Sequence, residues 1–508
     1  MRILPTPFAA PGGAPEPGDG GFDPALLEAI IPGPGQDELR ARLAVPDVLV
    51  VTTGQQPALF TGPLYAVHKA LSAAALARVL ATRWGRDVVP LFWVAGDDHD
   101  FAEANHAAWL RPDGTLRVET LADRPGSAAL RPMSQEPLGP AVEAALDTLA
   151  GDLSPWAEGG AEVLAWLRGH FRPEATVAAA SGGALAELLA PLGVLCVDGA
   201  SPVLKGRAAP TIRKALEGAE AIEGALVRRA RALEAAGSNP GVVVGDGASL
   251  VMLEGEQGRD RLVRDAACFV TRHGGVRYTR EEILGLLERE PQRFSGNVLL
   301  RPVVERAVLP TVAYVAGPGE LRYLELAEAA YGELGVSPQR PVPRWSGLLI
   351  EPRVDRVLEK FDASLEELLA PGERLEARVA GQQMPAGASA ALAALRAEVG
   401  RQYGLLEAAS TAVDPNLARP IEGLRGRALQ GVDKAEKKLI QHLKRRYDTE
   451  TAQIQRARTA VQPGGQPQER MLTIAPFLAR YGHGLLPLLL AEMSAWYASA
   501  LEGGAPPS

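Results

Sequence analysis

Short apolar runs alternate with helix-like segments through most of the chain. The runs at 48–53, 88–95, 193–197 and 312–316 have the length and composition of buried strands. The Ala- and Leu-rich segment at 64–81 lies between the first two runs and is predicted to be a helix. Strands that alternate with helices in this way predict an α/β fold built on a mostly parallel sheet.

The pattern becomes helical after the last strand-like run. Apolar residues recur every three to four positions from 392 to 406 and from 417 to 443, which keeps each stripe on one helix face. Asp414 and Pro415 separate the stripes. We therefore predict a long antiparallel helical hairpin. Its apolar stripe needs a partner, either a second subunit, which we favour, or a third helix of the same chain.

Two segments, 110–190 and 240–300, have less regular patterns and are predicted to be insertions into the sheet. The chain has 508 residues, which is more than one compact core usually holds. Hydrophobic residues make up 46% and charged residues 22%, values that exclude a disordered or fibrous chain. The net charge of −8 argues against bulk binding of nucleic acid.

The chain contains two cysteines, Cys196 and Cys268, which cannot build a disulfide framework or a structural zinc site. The N-terminal residues have no signal-peptide apolar core, and no apolar run approaches the roughly 18 residues of a membrane span. We therefore expect a cytoplasmic protein that binds neither nucleic acid nor a membrane.

The first candidate site is VVTTGQQPALFTGPLYAVHKA, residues 50–70. A strand leads through a glycine-containing loop into a helix, with Thr61 or Gly62 expected as the N-cap and Pro63 as the first helical residue. Open N–H groups and the helix dipole at such a start favour an anion. The alternative is a simple turn at the sheet edge. The candidate binding residues here are Thr53, Gly54, Gln55, Gln56, Phe60, Gly62 and Lys69.

The second candidate site is PLFWVAGDDHDFAEANH, residues 90–106. An apolar strand ends there in a cluster of acids and an imidazole, at the sheet edge where α/β proteins bind ligands. Crowding raises the pKa of a carboxyl group or pairs it with the imidazole, and both suit general acid–base catalysis. The candidate catalytic residues are Asp97, Asp98, His99 and Asp100.

Two other interpretations of this segment stay open. If it continues as a helix, His99 and His106 share one face and, with Glu103, form a candidate metal site. Asp98 or Asp100 is alternatively a helix cap. We predict no metal ligand, and we include His106 among the candidate substrate-binding residues.

The third candidate site lies within residues 297–336, where the strand TVAYVA runs through a glycine turn into an amphipathic helix. An acid in the first turn suits the helix dipole and also faces the ligand side of the sheet. A helix cap with ordinary packing is the alternative. The candidate binding residues of this region and of the extended segment after it are Arg301, Gly317, Gly319, Glu320, Tyr323 and Arg344.

Four motifs, in this order, closely resemble the bacillithiol-biosynthesis cysteine-adding enzyme family, the cysteine ligases. They are TTGQQPALFTGPLY, PLFWVAGDDHDFAEANH, LRPVVERAVLPTVAYVAGPGELRY and VQPGGQPQERMLTI. The resemblance covers essentially the whole chain. It implies a Rossmann-like core close to nucleotidylyltransferase folds, two connecting insertions, and an α-helical coiled coil that makes a homodimer.

The predicted division of the chain combines the pattern and the resemblance. It has core segments at 1–109, 191–239 and 299–360, connecting insertions at 110–190 and 240–298, an α-helical coiled coil at 361–462, and a C-terminal segment packing on the core at 463–508.

The resemblance also implies an activity, the joining of L-cysteine by an amide bond to glucosaminyl-malate in the last step of bacillithiol synthesis. It implies an adenine nucleotide, ATP or ADP, at a site apart from the main crevice and near the coiled coil. The HIGH and KMSKS nucleotide motifs of synthetase-like cysteine ligases are absent. Two alternatives stay open, a metal-dependent hydrolase or phosphotransfer enzyme and a non-catalytic dimeric scaffold that binds a nucleotide or sugar.

Overall fold

A computed structural model of the protein describes residues 1–124 and 129–502. The chain forms two units. One, the sheet unit, contains Ile3–Leu348 and the C-terminal segment from Gln466; the other, the helical unit, contains Met1–Arg2 and Leu349–Gly465. Residues 125–128 of the first predicted insertion and 503–508 of the predicted C-terminal segment lie outside the described residues.

The element bounds follow in chain order. The strands are β1 Arg2–Pro5, β2 Leu49–Gln55, β3 Val88–Val94, β4 His106–Leu110, β5 Leu116–Thr120, β6 Leu195–Asp198, β7 Ala248–Gly255, β8 Gly258–Asp265, β9 Cys268–Thr271, β10 Arg277–Thr279, β11 Phe294–Gly296, β12 Thr311–Ala316, β13 Arg340–Pro343 and β14 Gly347–Ile350. The helices are α1 Asp37–Leu43, α2 Leu64–Trp84, α3 Phe101–Ala104, α4 Ala141–Leu153, α5 Ala157–His170, α6 Val177–Leu189, α7 Pro202–Glu217, α8 Ala219–Ala235, α9 Arg280–Arg289, α10 Arg301–Val308, α11 Pro318–Leu334, α12 Pro352–Lys360, α13 Leu365–Leu369, α14 Arg374–Gln382, α15 Ala386–Val413, α16 Ala418–Arg446, α17 Asp448–Val461, α18 Gln468–Met471, α19 Ala475–Tyr481 and α20 Leu485–Leu501.

The central sheet of the sheet unit is parallel, with strand order β13-β12-β2-β3-β6. Strands β2, β3, β6 and β12 are the four predicted from the apolar runs, and β3 is buried along its whole length. Burial on both faces explains why these strands are continuously apolar rather than alternating. The predicted parallel α/β core is confirmed, and the carboxyl ends of its strands meet at one edge.

Helix α2 is the predicted Ala- and Leu-rich helix and packs against β2 and β3. The α19–α20 pair is long and apolar enough to cross a membrane if its 106° bend is ignored. Helix α2 also has the length and composition of a membrane span. Its most apolar window is, however, 78% buried inside the protein. Its apolar character is that of a core helix.

The segment predicted to be irregular at 240–300 contains a regular sheet. Strands β7–β11 form it in the order β10-β9-β8-β7-β11, with antiparallel pairing throughout. Five of the eight residues of β8 are Arg or Asp, so no continuous apolar run marks the strand. The segment at 110–190 is also more regular than predicted, because it contains α4, α5 and α6.

In the helical unit, α15 and α16 form the predicted antiparallel hairpin, with the connection at Asp414 and Pro415. Arg396 of α15 donates to Asp433 and Glu436 of α16 at 2.6 and 2.9 Å. Part of the apolar stripe is buried, but four of its leucines are 40–49% exposed. They are Leu395, Leu406, Leu424 and Leu439.

Candidate active site

A cavity of about 460 Å³ opens at the carboxyl edge of the central sheet. Loops after β2, β3, β12 and β13 contribute to its wall, together with α7 and the second sheet. Twelve of the predicted site residues line it: Gly54, Gln55, Gln56, Lys69, Asp97, Asp98, Arg301, Gly317, Gly319, Glu320, Tyr323 and Arg344. Three separate sequence motifs therefore meet in one site.

Six predicted residues do not line this cavity: Thr53, Phe60, Gly62, His99, Asp100 and His106. Thr53 is buried and its hydroxyl donates to the Val315 carbonyl at 2.8 Å. Phe60 is buried against Phe171, with ring centroids 5.5 Å apart. These two side chains support the core rather than a ligand.

The segment after β3 does not continue as a long helix. Helix α3 has only four residues, capped by Asp100, and His106 begins strand β4. The condition under which His99 and His106 would share a helix face is therefore not met. Within residues 1–124 and 129–502, no group of three His, Cys, Asp or Glu side chains is placed to hold a metal ion.

The loop before α2 also differs from the prediction. Helix α2 begins at Leu64, with Pro63 before it, so neither Thr61 nor Gly62 caps the helix. The Leu64 amide donates to the Leu472 carbonyl at 2.8 Å, and Phe60 and Thr61 have positive φ. This start is closed by the C-terminal segment and is not the open anion site that we expected.

Lys69 and Glu320 form an ion pair in the cavity wall, with Nζ 2.8 Å from Oε2. Glu320 also accepts the Gly317 amide at 2.7 Å and the Tyr314 hydroxyl at 2.8 Å, so the expected acid in the first turn of α11 is confirmed. Burial lowers the pKa of Lys69. Burial raises the pKa of Glu320, but Lys69 and the Gly317 amide outweigh it and hold that pKa below its usual value.

Arg301 extends this network into the core. Its Nη1 lies 3.0 Å from Oε2 of Glu305, and its Nη2 donates to the Tyr314 hydroxyl at 3.0 Å. Glu305 is fully buried and also accepts the Thr52 hydroxyl. Charge-assisted hydrogen bonds of this kind fix the Arg301 guanidinium beside the cavity.

Sequence reasoning missed Lys205 and Arg259. Lys205 of α7 lies 2.6 Å from Asp97 and donates to the Phe294 carbonyl at 2.9 Å. A signal existed for Lys205, because a strand end followed by a proline-started helix recurs at 195–205. Arg259 comes from the second sheet, and nothing near it in the sequence marks it.

Cations outnumber acids in the cavity wall. The cationic lining residues are Lys69, Lys205, Arg259, Arg301, Arg322, Arg344 and Arg470. The acidic ones are Asp97, Asp98 and Glu320. A cavity with this excess of positive charge attracts an anionic ligand, and its acids still offer a place for an amine.

The pKa of His99 provides a test of the electrostatics beside the cavity. Burial and then the charge of Arg259, whose Nη1 lies 3.4 Å from Nδ1, lower this pKa. In the unfolded chain the His99 imidazole has a pKa near 6.5. Just below that pH the unfolded chain therefore binds more protons than the folded protein, so His99 makes the free energy of unfolding fall as the pH drops below about 6.5. We expect Arg259→Gln to raise the His99 pKa towards its ordinary value in an NMR titration. An unchanged or lower pKa would contradict this.

The fold and site define a Rossmann-like protein with a helical-hairpin unit and a cation-rich cavity. The model of the BshC N-terminal Rossmann-like domain of bacillithiol biosynthesis matches residues 36–344, and that of the BshC C-terminal coiled-coil domain matches 347–496. The chain belongs to this BshC family, as its motifs predicted.

Several relatives carry the name "Putative cysteine ligase BshC". The one from Koribacter versatilis is 34% identical over 87% of this chain and 81% of its own length. Those from Symbiobacterium thermophilum and Heliobacterium modesticaldum are 30% and 31% identical, over 94% and 90% of this chain and 88% and 83% of their own lengths. These matches confirm the predicted cysteine-ligase family and do not favour the hydrolase or scaffold alternatives.

Proposed function

We propose that the protein joins the carboxyl group of L-cysteine to the amine of glucosaminyl-malate, forming the amide bond that completes bacillithiol. The observation that carries this proposal is the convergence of cationic side chains with Asp97 and Asp98 in one cavity of a cysteine-ligase family member. The substrate has the matching groups, because malate carries two carboxylates and the sugar carries an ammonium.

The strand order arranges these groups along the sheet edge. Arg344 follows β13, Glu320 follows β12, Gln55 ends β2 and Asp97 follows β3. Three strand spacings separate β13 from β3, about 14 Å. We therefore place the malate carboxylates towards Arg344 and Arg470 and the sugar amine towards Asp97 and Asp98.

This placement assigns roles in amide formation. The sugar amine arrives protonated and must lose a proton before its nitrogen attacks the cysteine carbonyl carbon. Asp98 is the proposed proton acceptor, and Asp97, held by Lys205, is the proposed binding partner of the ammonium. The new C–N bond replaces the C–O bond of the activated cysteine carboxyl, whose oxygen leaves with the activating group.

An adenine nucleotide, ATP or ADP, is the proposed further ligand, at a site apart from the cavity. Helix α16 offers chemistry that fits phosphate, since most side chains of the basic run at 434–446 are exposed. The two cysteines, Cys196 and Cys268, are free thiols, which agrees with a cytoplasmic location.

Reconstitution tests the activity. Purified protein is incubated with glucosaminyl-malate, cysteine and ATP, and products are followed by mass spectrometry. We expect a product with the summed mass of the two substrates less one water. Hydrolysis of glucosaminyl-malate in place of this product would support the metal-dependent alternative instead.

We further propose that the helical unit makes a homodimer through the exposed leucines of the hairpin. Leu424→Asp places a charge in this apolar stripe, and we expect it to shift the protein from dimer to monomer in sedimentation velocity. The matched control is Leu488→Asp, at an exposed leucine of α20 that is 59% accessible. A dimer that survives Leu424→Asp would place the interface elsewhere.

A further inference from the structure

Glu469 lies behind the cavity wall and holds Arg344, one of the lining residues. The guanidinium of Arg344 donates to both carboxylate oxygens, Nη1 to Oε2 at 2.8 Å and Nη2 to Oε1 at 2.5 Å. Ser346 adds a hydroxyl donor to Oε1 at 2.8 Å. Glu469 is only 6% exposed, so this bidentate pair is shielded from water.

His68 completes the surroundings of this carboxylate. Its Nδ1 lies 3.1 Å from Oε2 of Glu469, and the ring is fully buried on α2. Burial lowers the pKa of His68, so the ring is neutral and donates its Nδ1–H. Burial raises the pKa of Glu469, but the hydrogen bonds from His68 and Arg344 outweigh it and lower that pKa to about 2. Glu469 is therefore a carboxylate at neutral pH.

The contacts of Arg344 determine which of its donors remain for a ligand. Nη1 is occupied by Glu469 and by the Trp345 carbonyl at 2.9 Å, and one Nη2 hydrogen is occupied by Glu469. A guanidinium has five N–H donors. Among the described residues this leaves the Nε–H and the second Nη2–H. Nε lies beside the Gly317 turn of the cavity wall. A Cβ built on Gly317 would be 3.8 Å from this nitrogen.

The segment that carries Glu469 is itself anchored in the sheet unit. Thr473 donates its amide to the Ala108 carbonyl at 2.8 Å and its hydroxyl to the Phe60 carbonyl at 2.9 Å. The next residue after Glu469, Arg470, lines the cavity. One turn of the chain therefore places the cation of Arg470 at the cavity and the carboxylate of Glu469 behind the neighbouring cation, Arg344.

We propose that Glu469 is a positioning residue for the substrate's carboxylates. It fixes Arg344 so that the remaining N–H donors point at the malate moiety, and it does not touch the substrate. This inference rests on the proposed function and deepens it. A guanidinium held in this way loses little rotational freedom when it binds a carboxylate, which increases affinity.

The test compares two buried glutamates that each pair bidentately with an arginine. Glu469→Gln breaks the pair behind the cavity, while Glu376→Gln breaks the Arg458 pair in the helical unit, where Glu376 is 1% exposed. We expect Glu469→Gln to raise the Kd and KM for glucosaminyl-malate about tenfold or more, the value of one charge-assisted hydrogen bond. We expect kcat to change by less than about threefold, because the chemistry is untouched. Glu376→Gln should lower the Tm comparably and leave both Kd and KM unchanged.

A second variant and a second probe keep the outcomes distinct. Arg344→Lys keeps the charge but not the fork and should weaken binding as much. Unchanged binding in this variant would overturn the role even if Glu469→Gln does not fold. If the wild type fails to bind glucosaminyl-malate, the proposed function fails, and the same comparison with L-malate decides the positioning role alone. The positioning role of Glu469 would be overturned if Glu469→Gln bound glucosaminyl-malate or L-malate as tightly as the wild type does. It would also be overturned if the wild type bound neither ligand.

Discussion

Replacing Asp98 by asparagine is expected to lower kcat for cysteine addition at least about 100-fold, which is the lower end of the rate enhancement that a general base typically provides. Asp98 lines the cavity, and its Oδ1 accepts a hydrogen bond from the Asp100 amide at 3.1 Å. Asparagine keeps this bond and the size of the side chain but cannot accept the ammonium proton. We therefore expect the Tm to stay within a few degrees, measured beside the initial rate.

A neighbouring acid provides the matched control. Glu103 is exposed on the short helix α3 and does not line the cavity. Glu103→Gln removes one negative charge from the same segment, so it reproduces the change in net charge without touching the site. Activity within about twofold of the wild type is expected there. Equal losses in both variants would point to a general charge effect and remove Asp98 from the mechanism.

Lys69→Met is expected to cost about 3 kcal/mol of the free energy of unfolding and to abolish activity. Lys69 is 1% exposed and Glu320 20%, so methionine leaves a poorly hydrated carboxylate without its cation. The loss of the cation also disturbs the Gly317 turn, whose amide Glu320 holds. Chemical denaturation measures the first effect, and the reconstituted assay measures the second.

An exposed pair and a double variant separate the two effects. Arg168→Met removes the cation from the Asp147 pair, whose side chains are 52% and 74% exposed, and should change stability by less than about 0.5 kcal/mol. Lys69→Met with Glu320→Gln should recover part of the stability but none of the activity. A cost for Lys69→Met no greater than that of Arg168→Met would contradict the account of this pair.

Much of the sheet unit could be predicted because its strands are buried on both faces. The runs that become β2, β3, β6 and β12 are apolar without interruption, and the motifs at their carboxyl ends meet in the cavity. The second sheet could not be predicted in the same way. Five of the eight residues of its strand β8 are Arg or Asp, so its pattern resembles a loop.

The site itself was predicted unevenly for a physical reason. Residues next to a strand end, such as Asp97 and Glu320, carry a local signal of position. Lys205, Arg259 and Arg470 reach the cavity from separate elements, so only tertiary structure brings them together. The errors at Pro63 and His106 arose where the C-terminal segment and a new strand replaced the local helical pattern.

The most direct test of the central claim is mass-spectrometric profiling of thiols and intermediates in the host with and without this gene. The account predicts that deletion removes bacillithiol while glucosaminyl-malate accumulates. The wild-type gene should restore the thiol, and the Asp98→Asn variant should not. Bacillithiol that persists unchanged after deletion would contradict the assignment of cysteine addition to this protein.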